Sequence, residues 1–320
     1  MSTPPPLPPS DTPPNMGRMV FAAFMSNLAT GIVYGLLIAL NDLAQSHSIE
    51  WANAILIPSL LLVPFFSGML MAWMCRHIAM RILDVAIATF LGTGICIAGG
   101  AVVLREGAVC LLMAAPLLWL FIFLGALVGR ARFRPDRSKL NLCLLPLIPL
   151  LALGEMETRT YEKEVVVDQV LIHAPPEKVW PHVLAFPEIS DKPDYWIFRL
   201  GLPYPVATTN TGNFVGADRQ CIFSDGVTLK ETVAAFEPNR RLTFDIVEQP
   251  THPEAYGHII LHRGQFDLRD NGDGTTTLVG SSWYTLRVRP LFYFDWWTRD
   301  MTRAVHLRVM RHVQRLSEAS

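Results

Sequence analysis

The chain has 320 residues, of which 51% are hydrophobic and 17% charged, against about 25% charged in an ordinary soluble domain. Its formal net charge is -1, and the charge is unevenly spread: residues 1–163 hold 11 Lys/Arg and 9 Asp/Glu, residues 164–320 hold 16 and 19. No block carries the basic excess that nucleic-acid binding needs, and collagen-like, disulfide-stapled and disordered classes are excluded, which leaves a membrane protein with a globular C-terminal half.

The N-terminus, MSTPPPLPPSDTPPN, is Pro-rich without apolar periodicity and predicts a solvated, polyproline-leaning tail over residues 1–17. A PxxP docking ligand is the alternative. A cleaved signal peptide does not fit, because the first apolar run starts late, is too long and is followed by others. Apolar stretches lie at 19–40, 51–75, 82–104, 108–129 and 140–154. The first four reach the roughly 20 residues of a membrane-crossing helix. The fifth, LNLCLLPLIPLLALG, is shorter, carries Pro146 and Pro149, and either crosses or lies in the interface. The expected membrane region is therefore residues 18–154 with four or five spans.

Loop charges orient this bundle. Arg18, Arg76, Arg81, Arg130, Arg132, Arg134, Arg137 and Lys139 fall on one side, and Arg105 alone on the other. The positive-inside rule then places the N-terminus in the cytoplasm. Four spans leave the C-terminal half there too, while five export it; the expectation is five, in a bacterial-type inner membrane, with an extracytoplasmic C-terminal domain. Trp51 and Trp73 bracket the second span as aromatic belt residues do. Asp84 follows Arg81 by three residues and reads as its interfacial partner, and Gly92, Gly94, Gly99 and Gly100 suit close helix packing. Nothing else ionisable lies deep in the spans to form a proton relay. Of 5 cysteines, only Cys221 falls in the C-terminal half, and no CxxC spacing occurs, which rules out zinc ribbons and thioredoxin-type chemistry.

After a linker at 155–163 the pattern changes. EVVVDQVLIHA reads as a strand. APPEKVWPHVLAF starts a helix: prolines near the first turn, Glu177 at the positive end, and Val179, Trp180, Val183 and Leu184 on one stripe. Short extended runs follow in YPVATTNTG, DRQCIFSDG, VTLKETVAAFEP and RLTFDIVEQ. HRGQFDLRDNGDGTTTLVGSSWYTLRV reads as a hairpin turning at Asn271–Gly272–Asp273–Gly274. A long helix closes the chain from near Pro290 to near Leu316, with Leu291, Phe294, Trp297, Met301, Val305, Val309 and Leu316 as its expected inward stripe. This order predicts an α+β domain over residues 164–320.

The segments IHAPPEKVWPHVLAFPEI (172–189), GADRQCIFSDG (216–226), ETVAAFEPNRRLTFDIVEQP (231–250) and RAVHLRVMRHVQRL (303–316) resemble the START-like helix-grip superfamily, also called SRPBCC or polyketide cyclase/dehydrase and lipid-transport domains. The resemblance covers residues 164–318 and no part of the apolar half. It implies a curved antiparallel sheet gripping a long C-terminal helix around a cavity that usually holds an apolar ligand. It leaves function open, since the fold hosts carriers, receptors, cyclases and hydroxylase domains.

No metal or cofactor is expected. His258 and His262 stand four residues apart, but on a strand that is about 13 Å, too far for one ion. The turn DLRDNGDGTT lacks EF-hand spacing, no Cys/His set for an iron–sulfur module is present, and no nucleophile elbow, P-loop or dinucleotide fingerprint occurs in context. Candidate cavity residues are Trp196, Arg219, Glu231, His262, Arg263, Trp283 and Tyr284. Glu231, between apolar neighbours, is either a carboxylate with a raised pKa able to act as general acid/base or the partner of an arginine on the sheet surface. No nucleophile–base constellation can be assembled from the sequence. PLFYFDWW (290–297) is rich in aromatics, and Phe292, Trp296, Arg303 and Met310 are expected on its outward side, facing a bilayer interface or the helical bundle, with packing of the segment inside the domain as the alternative. The expected partners are a lipid bilayer and a hydrophobic small molecule such as a lipid or isoprenoid-like compound. A cyclase/dehydrase-type enzyme is the second reading, and an interaction or stress-response module with a filled interior the third.

Overall fold

The computed structural model describes residues 15–46, 52–78, 80–104, 107–133, 163–249, 259–288 and 290–319. The Pro-rich tail up to residue 14, the apolar stretch 140–154, most of the linker, Trp51, Arg105, Arg134, Arg137, Lys139, Cys143 and His258 lie outside the described residues. The chain divides into two compact units.

The N-terminal unit contains α1 (Met16–Ser46), α2 (Ala52–Met74), α3 (Ile82–Leu104) and, from Leu111 on, α4 (Ala108–Arg132). Met16–Val33 and Val109–Arg132 are long and apolar enough to cross a membrane by length and composition, while Leu61–Met74 and Ile82–Ala98 are shorter apolar segments. That is fewer than the four or five spans expected, the others not being shown at full length among the described residues. Small residues set the helix crossings. A Cβ on Gly68 would run into the Ile122 carbonyl and one on Gly125 into Phe65, so α2 and α4 meet through glycine. Gly92 packs on Ala23 in the same way, whereas Gly94 meets nothing. The Arg81 backbone N–H donates to Asp84 Oδ2 at 3.0 Å, which caps α3 rather than forming the expected side-chain ion pair.

In the C-terminal unit the elements are β1 (Glu164–Ile172), α5 (Pro176–Leu184), a 3-10 turn (Trp196–Leu200), β2 (Pro205–Asn210), β3 (Asp218–Phe223), β4 (Thr228–Glu237), β5 (Arg241–Glu248), β6 (Ile259–Asp270), β7 (Thr276–Leu286) and α6 (Leu291–Ala319). The strands form one antiparallel sheet in the order β1-β7-β6-β5-β4-β3-β2. This curled sheet with its long C-terminal helix is the helix-grip fold. Each strand alternates between the helix-facing side and the outer side. Leu242 and Phe244 are buried toward the helix, while Asp245 pairs outward with Arg263 at 2.7 Å and Asp267 with Arg241 at 2.6 Å. Glycine shapes the helix-facing surface at two places. A Cβ on Gly280 would stand 2.9 Å from Met310 Sδ, so its absence lets α6 lie close on β7, and a Cβ on Gly264 would collide with the Phe244 ring.

Two buried clusters divide the interior. Ile172, Trp180, Leu242, Leu278, Met310 and Val313 join α5, the sheet and the end of α6, and Tyr284, Val166 and Leu286 form a second cluster with Leu291. Trp180 sits under α5 as a core residue, edge-on to Phe236 at 5.4 Å. The β6–β7 turn is a hairpin as expected, with Gly272 and Gly274 at φ 77 and 84 and Asp270 and Asp273 accepting from the Gly272 and Thr275 backbone N–H groups.

The stripe expected along α6 is present in part. Phe294 and Val309 are buried, but the buried arc also takes His306, Met310, His312, Val313 and Ser317. Met310 is therefore corrected: it is 0% exposed and packs on Gly280 instead of facing outward. In its second half α6 is flanked by both the β1–β7 edge and α5, so more of its circumference is covered than a one-sided helical wheel allows.

Candidate functional site

Between the sheet and the first half of α6 lies a cavity of about 250 Å³. Most of its wall is apolar: Phe223, Leu229, Phe244, Ile246, Ile259 and Leu261 from the strands, Leu202 and Pro203 from the segment before β2, and Met301, Val305 and Val309 from α6. Small residues of β6 and β7 complete the wall of the cavity. Gly264 and Gly280 line it, as does Ser282, the register partner of Gly264.

Two polar groupings open into this wall. The first is a buried ion pair on neighbouring strands, where β3 and β4 place Arg219 opposite Glu231. Their side chains are 2% and 4% exposed and are directly paired. Arg219 also donates through Nε to the Leu184 carbonyl at 3.4 Å and lies over the Phe244 ring, 4.5 Å from its centroid. Burial pushes the Glu231 carboxyl above its ordinary pKa, and the Arg219 charge opposes that shift. The Cys221 thiol beside them is pushed up to about 12, by burial first and then by the Glu231 charge, with Arg219 acting against both. It is a thiol at neutral pH, not a nucleophilic thiolate.

The second grouping joins three elements. Asp168 on β1 stands 2.9 Å through Oδ2 from His306 Nδ1, and His306 Nε2 stands 2.7 Å from Ser282 Oγ. Ser282 and His306 line the cavity, and Asp168 sits behind them with Arg303 Nε at 3.4 Å from its other oxygen. Farther along β7 and α6, the Tyr284 hydroxyl donates to Asp295 Oδ1 at 2.7 Å. Asp295 also accepts from Arg299, which reaches Glu164 on β1, so the start of α6 is fastened to the β1–β7 edge.

Of the seven cavity candidates named from the sequence, the structure brings only Arg219 and Glu231 to the wall. Glu231 does pair with an arginine, but inside the domain and not on the sheet surface. His262 lies on the opposite face of the sheet, its Nε2 2.8 Å from Thr285 Oγ1, because an irregularity in β6 between Leu261 and Arg263 interrupts the alternation. Arg263 is exposed on that face with Asp245. Trp283 belongs there too, in register with Val165 and Arg263. Tyr284 is fully buried but lies in the cluster beyond the cavity, and Trp196 is 49% exposed on the 3-10 turn. Among the outward candidates Phe292 is 81% and Trp296 63% exposed, and Arg303 is largely exposed while reaching Asp168. The sequence reading missed Asp168, Ser282 and His306. Each is a polar residue at a position that the strand or helix period turns inward, and that was the available signal.

Residues 163–317 match the family described as polyketide cyclase / dehydrase and lipid transport. A domain of that family thus occupies the C-terminal half. No curated protein matches the chain. Solved structures similar to it include an uncharacterised protein from Bacillus thuringiensis, 15% identical, with 49% of this chain and 100% of that one covered and a TM-score of 0.34. Norcoclaurine synthase from Thalictrum flavum is 10% identical over 48% of this chain and 93% of its own, with a TM-score of 0.34. The di-domain ARO/CYC StfQ of the steffimycin biosynthetic pathway is 12% identical over 56% and 61%, with a TM-score of 0.36.

Proposed function

We propose that the C-terminal domain binds a hydrophobic small molecule, a lipid or isoprenoid-like compound, in the cavity under α6, and that the N-terminal helices hold it beside a membrane. The cavity is the observation that carries this reading. At about 250 Å³ it lies near the lower end of small-molecule sites, with an apolar wall and few polar groups. It also counts against an interaction module whose interior is filled by its own side chains. Arg219 and Glu231 neutralise each other, so this pair offers no net charge to an ionic headgroup. The wall suits a neutral polar end such as a hydroxyl or carbonyl, directed to the pair while the rest of the ligand lies along the apolar strands.

Support for the membrane comes from the two helical segments of sufficient length and from the large apolar side chains on the outside of the helical unit. Phe21, Ile32, Leu36, Ile82, Leu83 and Phe90 are all more than half exposed, an arrangement favourable in lipid and costly in water. The excess of Lys and Arg in one set of loops supports a cytoplasmic N-terminus, and a crossing at 140–154 would put the ligand-binding domain on the other side. Phe292 and Trp296, exposed on α6, would touch the bilayer and help a ligand pass between membrane and cavity.

A cyclase/dehydrase-type enzyme is the second reading, favoured by the raised pKa of Glu231 in a cavity wall, as a general acid or base for enolisation requires. The test is purification of the full-length chain in mild detergent, extraction with organic solvent and mass spectrometry. A stoichiometric lipid-like compound that Val305→Trp, filling the cavity, eliminates is the expected result. An empty cavity in a stable protein would refute the binding reading.

A further inference from the structure

We propose that Ser282 is an acyl-accepting nucleophile activated by His306 and Asp168, and that the cavity hydrolyses an ester of a hydrophobic acid. The proposal rests on the ligand-binding reading above, because the ester has to occupy the same cavity.

The geometry carries it. A carboxylate only accepts hydrogen bonds, so the 2.9 Å contact of Asp168 Oδ2 puts the imidazole proton on Nδ1. Nε2 is then left with its lone pair toward Ser282, 2.7 Å from Oγ, as a general base toward a nucleophile must be. The side chains of His306 and Asp168 are 9% and 8% exposed, and Arg303 holds the second Asp168 oxygen. Three separate elements fix the arrangement. Asp168 and Ser282 stand on adjacent paired strands, and Gly280, the register partner of Asp168, lets α6 approach closely enough for His306 to bridge them. The hydroxyl and the ring both open on an apolar cavity, where a substrate carbonyl can reach them. This is the order of roles in a Ser-His-Asp triad, which is recognised by geometry and not by position in the chain.

In the reaction, Oγ of Ser282 bonds to the ester carbonyl carbon while its proton passes to His306 Nε2. The C–O bond to the alcohol then breaks, and the departing oxygen takes the proton from Nε2. Water, deprotonated in turn by Nε2, attacks the acyl-serine, releases the carboxylic acid and restores the Ser282 hydroxyl. Asp168 stabilises the imidazolium in both halves. Thr302, one turn before His306 on α6, brings a hydroxyl donor to the same wall for the developing oxyanion. The apolar residues along β3 to β6 would receive the acyl chain.

The experiment uses the full-length chain in mild detergent with two probes, an octyl fluorophosphonate and p-nitrophenyl octanoate, and measures binding of a fluorescent fatty acid in parallel. The phosphonate should form a P–O bond to Ser282 with loss of fluoride, located by peptide mass spectrometry. Ester hydrolysis should disappear in Ser282→Ala, and Asp168→Asn should lower kcat by about 10²- to 10⁴-fold with little change in KM. Lys230→Gln, exposed on β4, should behave as the parent protein. Ser282→Ala removes one oxygen and keeps the fold, so it decides the matter even where the buried His306→Gln fails to fold. Fatty-acid binding without a Ser282 adduct would overturn the nucleophile and leave the binding reading standing. Hydrolysis unchanged in Ser282→Ala would overturn it equally. Absence of both binding and adduct would overturn both readings.

Discussion

Glu231→Leu and Arg219→Met break the same buried contact, yet they should not be equally damaging. Both side chains are almost fully excluded from water, and removing one partner of such a pair usually costs about 3–5 kcal/mol, because the survivor is left charged and buried. In Glu231→Leu the survivor is a guanidinium, which cannot lose its proton. It keeps only the Leu184 carbonyl at 3.4 Å and the Phe244 ring at 4.5 Å, so the full penalty of about 3–5 kcal/mol is expected. In Arg219→Met the survivor is a carboxyl already held above its ordinary pKa by burial, and without Arg219 nothing opposes that shift. It takes up a proton, and the loss falls to that of an unsatisfied neutral group, about 1–3 kcal/mol. Its folded pKa lies further above its unfolded one than in the parent, so relative to the parent this variant should become less destabilised as pH falls. The double variant, apolar on both strands, should recover most of the loss. Hydrogen–deuterium exchange of peptides from β3 and β4 in the full-length chain reads these opening free energies locally. Equal losses in the two single variants, or a double variant worse than either, would refute the assignment of a desolvated pair.

Further expectations follow from other parts of the domain. Gly264→Ala drives a methyl group into the Phe244 ring and should cost about 1–3 kcal/mol, as overpacking does; it should also weaken ligand binding, with Phe244→Leu as the restoring second change in a thermal-melt and binding assay. His312 is buried, and burial, followed by the neighbouring Arg315 charge, holds its pKa below the ordinary imidazole value. His182 and His262 are shifted the same way, mainly by burial. At these three sites the unfolded chain therefore binds more protons than the folded one below about pH 6.5. Stability should be full above that pH and decline beneath it, and His312→Gln should flatten the decline measured by thermal melts across the range. Phe292→Ser with Trp296→Ser removes two exposed rings, so stability should change by no more than about 0.5 kcal/mol. Transfer of a fluorescent fatty acid from vesicles should slow while equilibrium affinity holds; an unchanged transfer rate would remove the membrane role of that face.

Much of the C-terminal fold was legible because it depends on local periods. β1 from Glu164, α5 with its prolines and Glu177, the Asn–Gly–Asp–Gly hairpin and the closing helix all follow from alternation, capping and turn chemistry that act within a few residues. The presence of long apolar helices follows from composition in the same way. The candidate site was legible only where one residue stood out from its neighbours, as Glu231 did in an apolar strand. Its partner Arg219, twelve positions earlier, becomes specific only through the β3–β4 register. His262 and Arg263 looked like equally good candidates, but Arg263 alternates with inward Gly264 and an irregularity within β6 puts His262 on the same outer face. Met310 looked exposed on a helical wheel because a wheel contains no α5 and no β7 to cover it.

Asp168, Ser282 and His306 show this division most sharply. The local pattern places each on its own element, β1, β7 or α6, and marks none of them as a partner of the others. Only the tertiary structure decided that they meet, since their distances depend on strand order, on pairing register and on how closely a helix can approach a glycine. Those are long-range packing choices, made by the whole core at once, and no short window of sequence contains them.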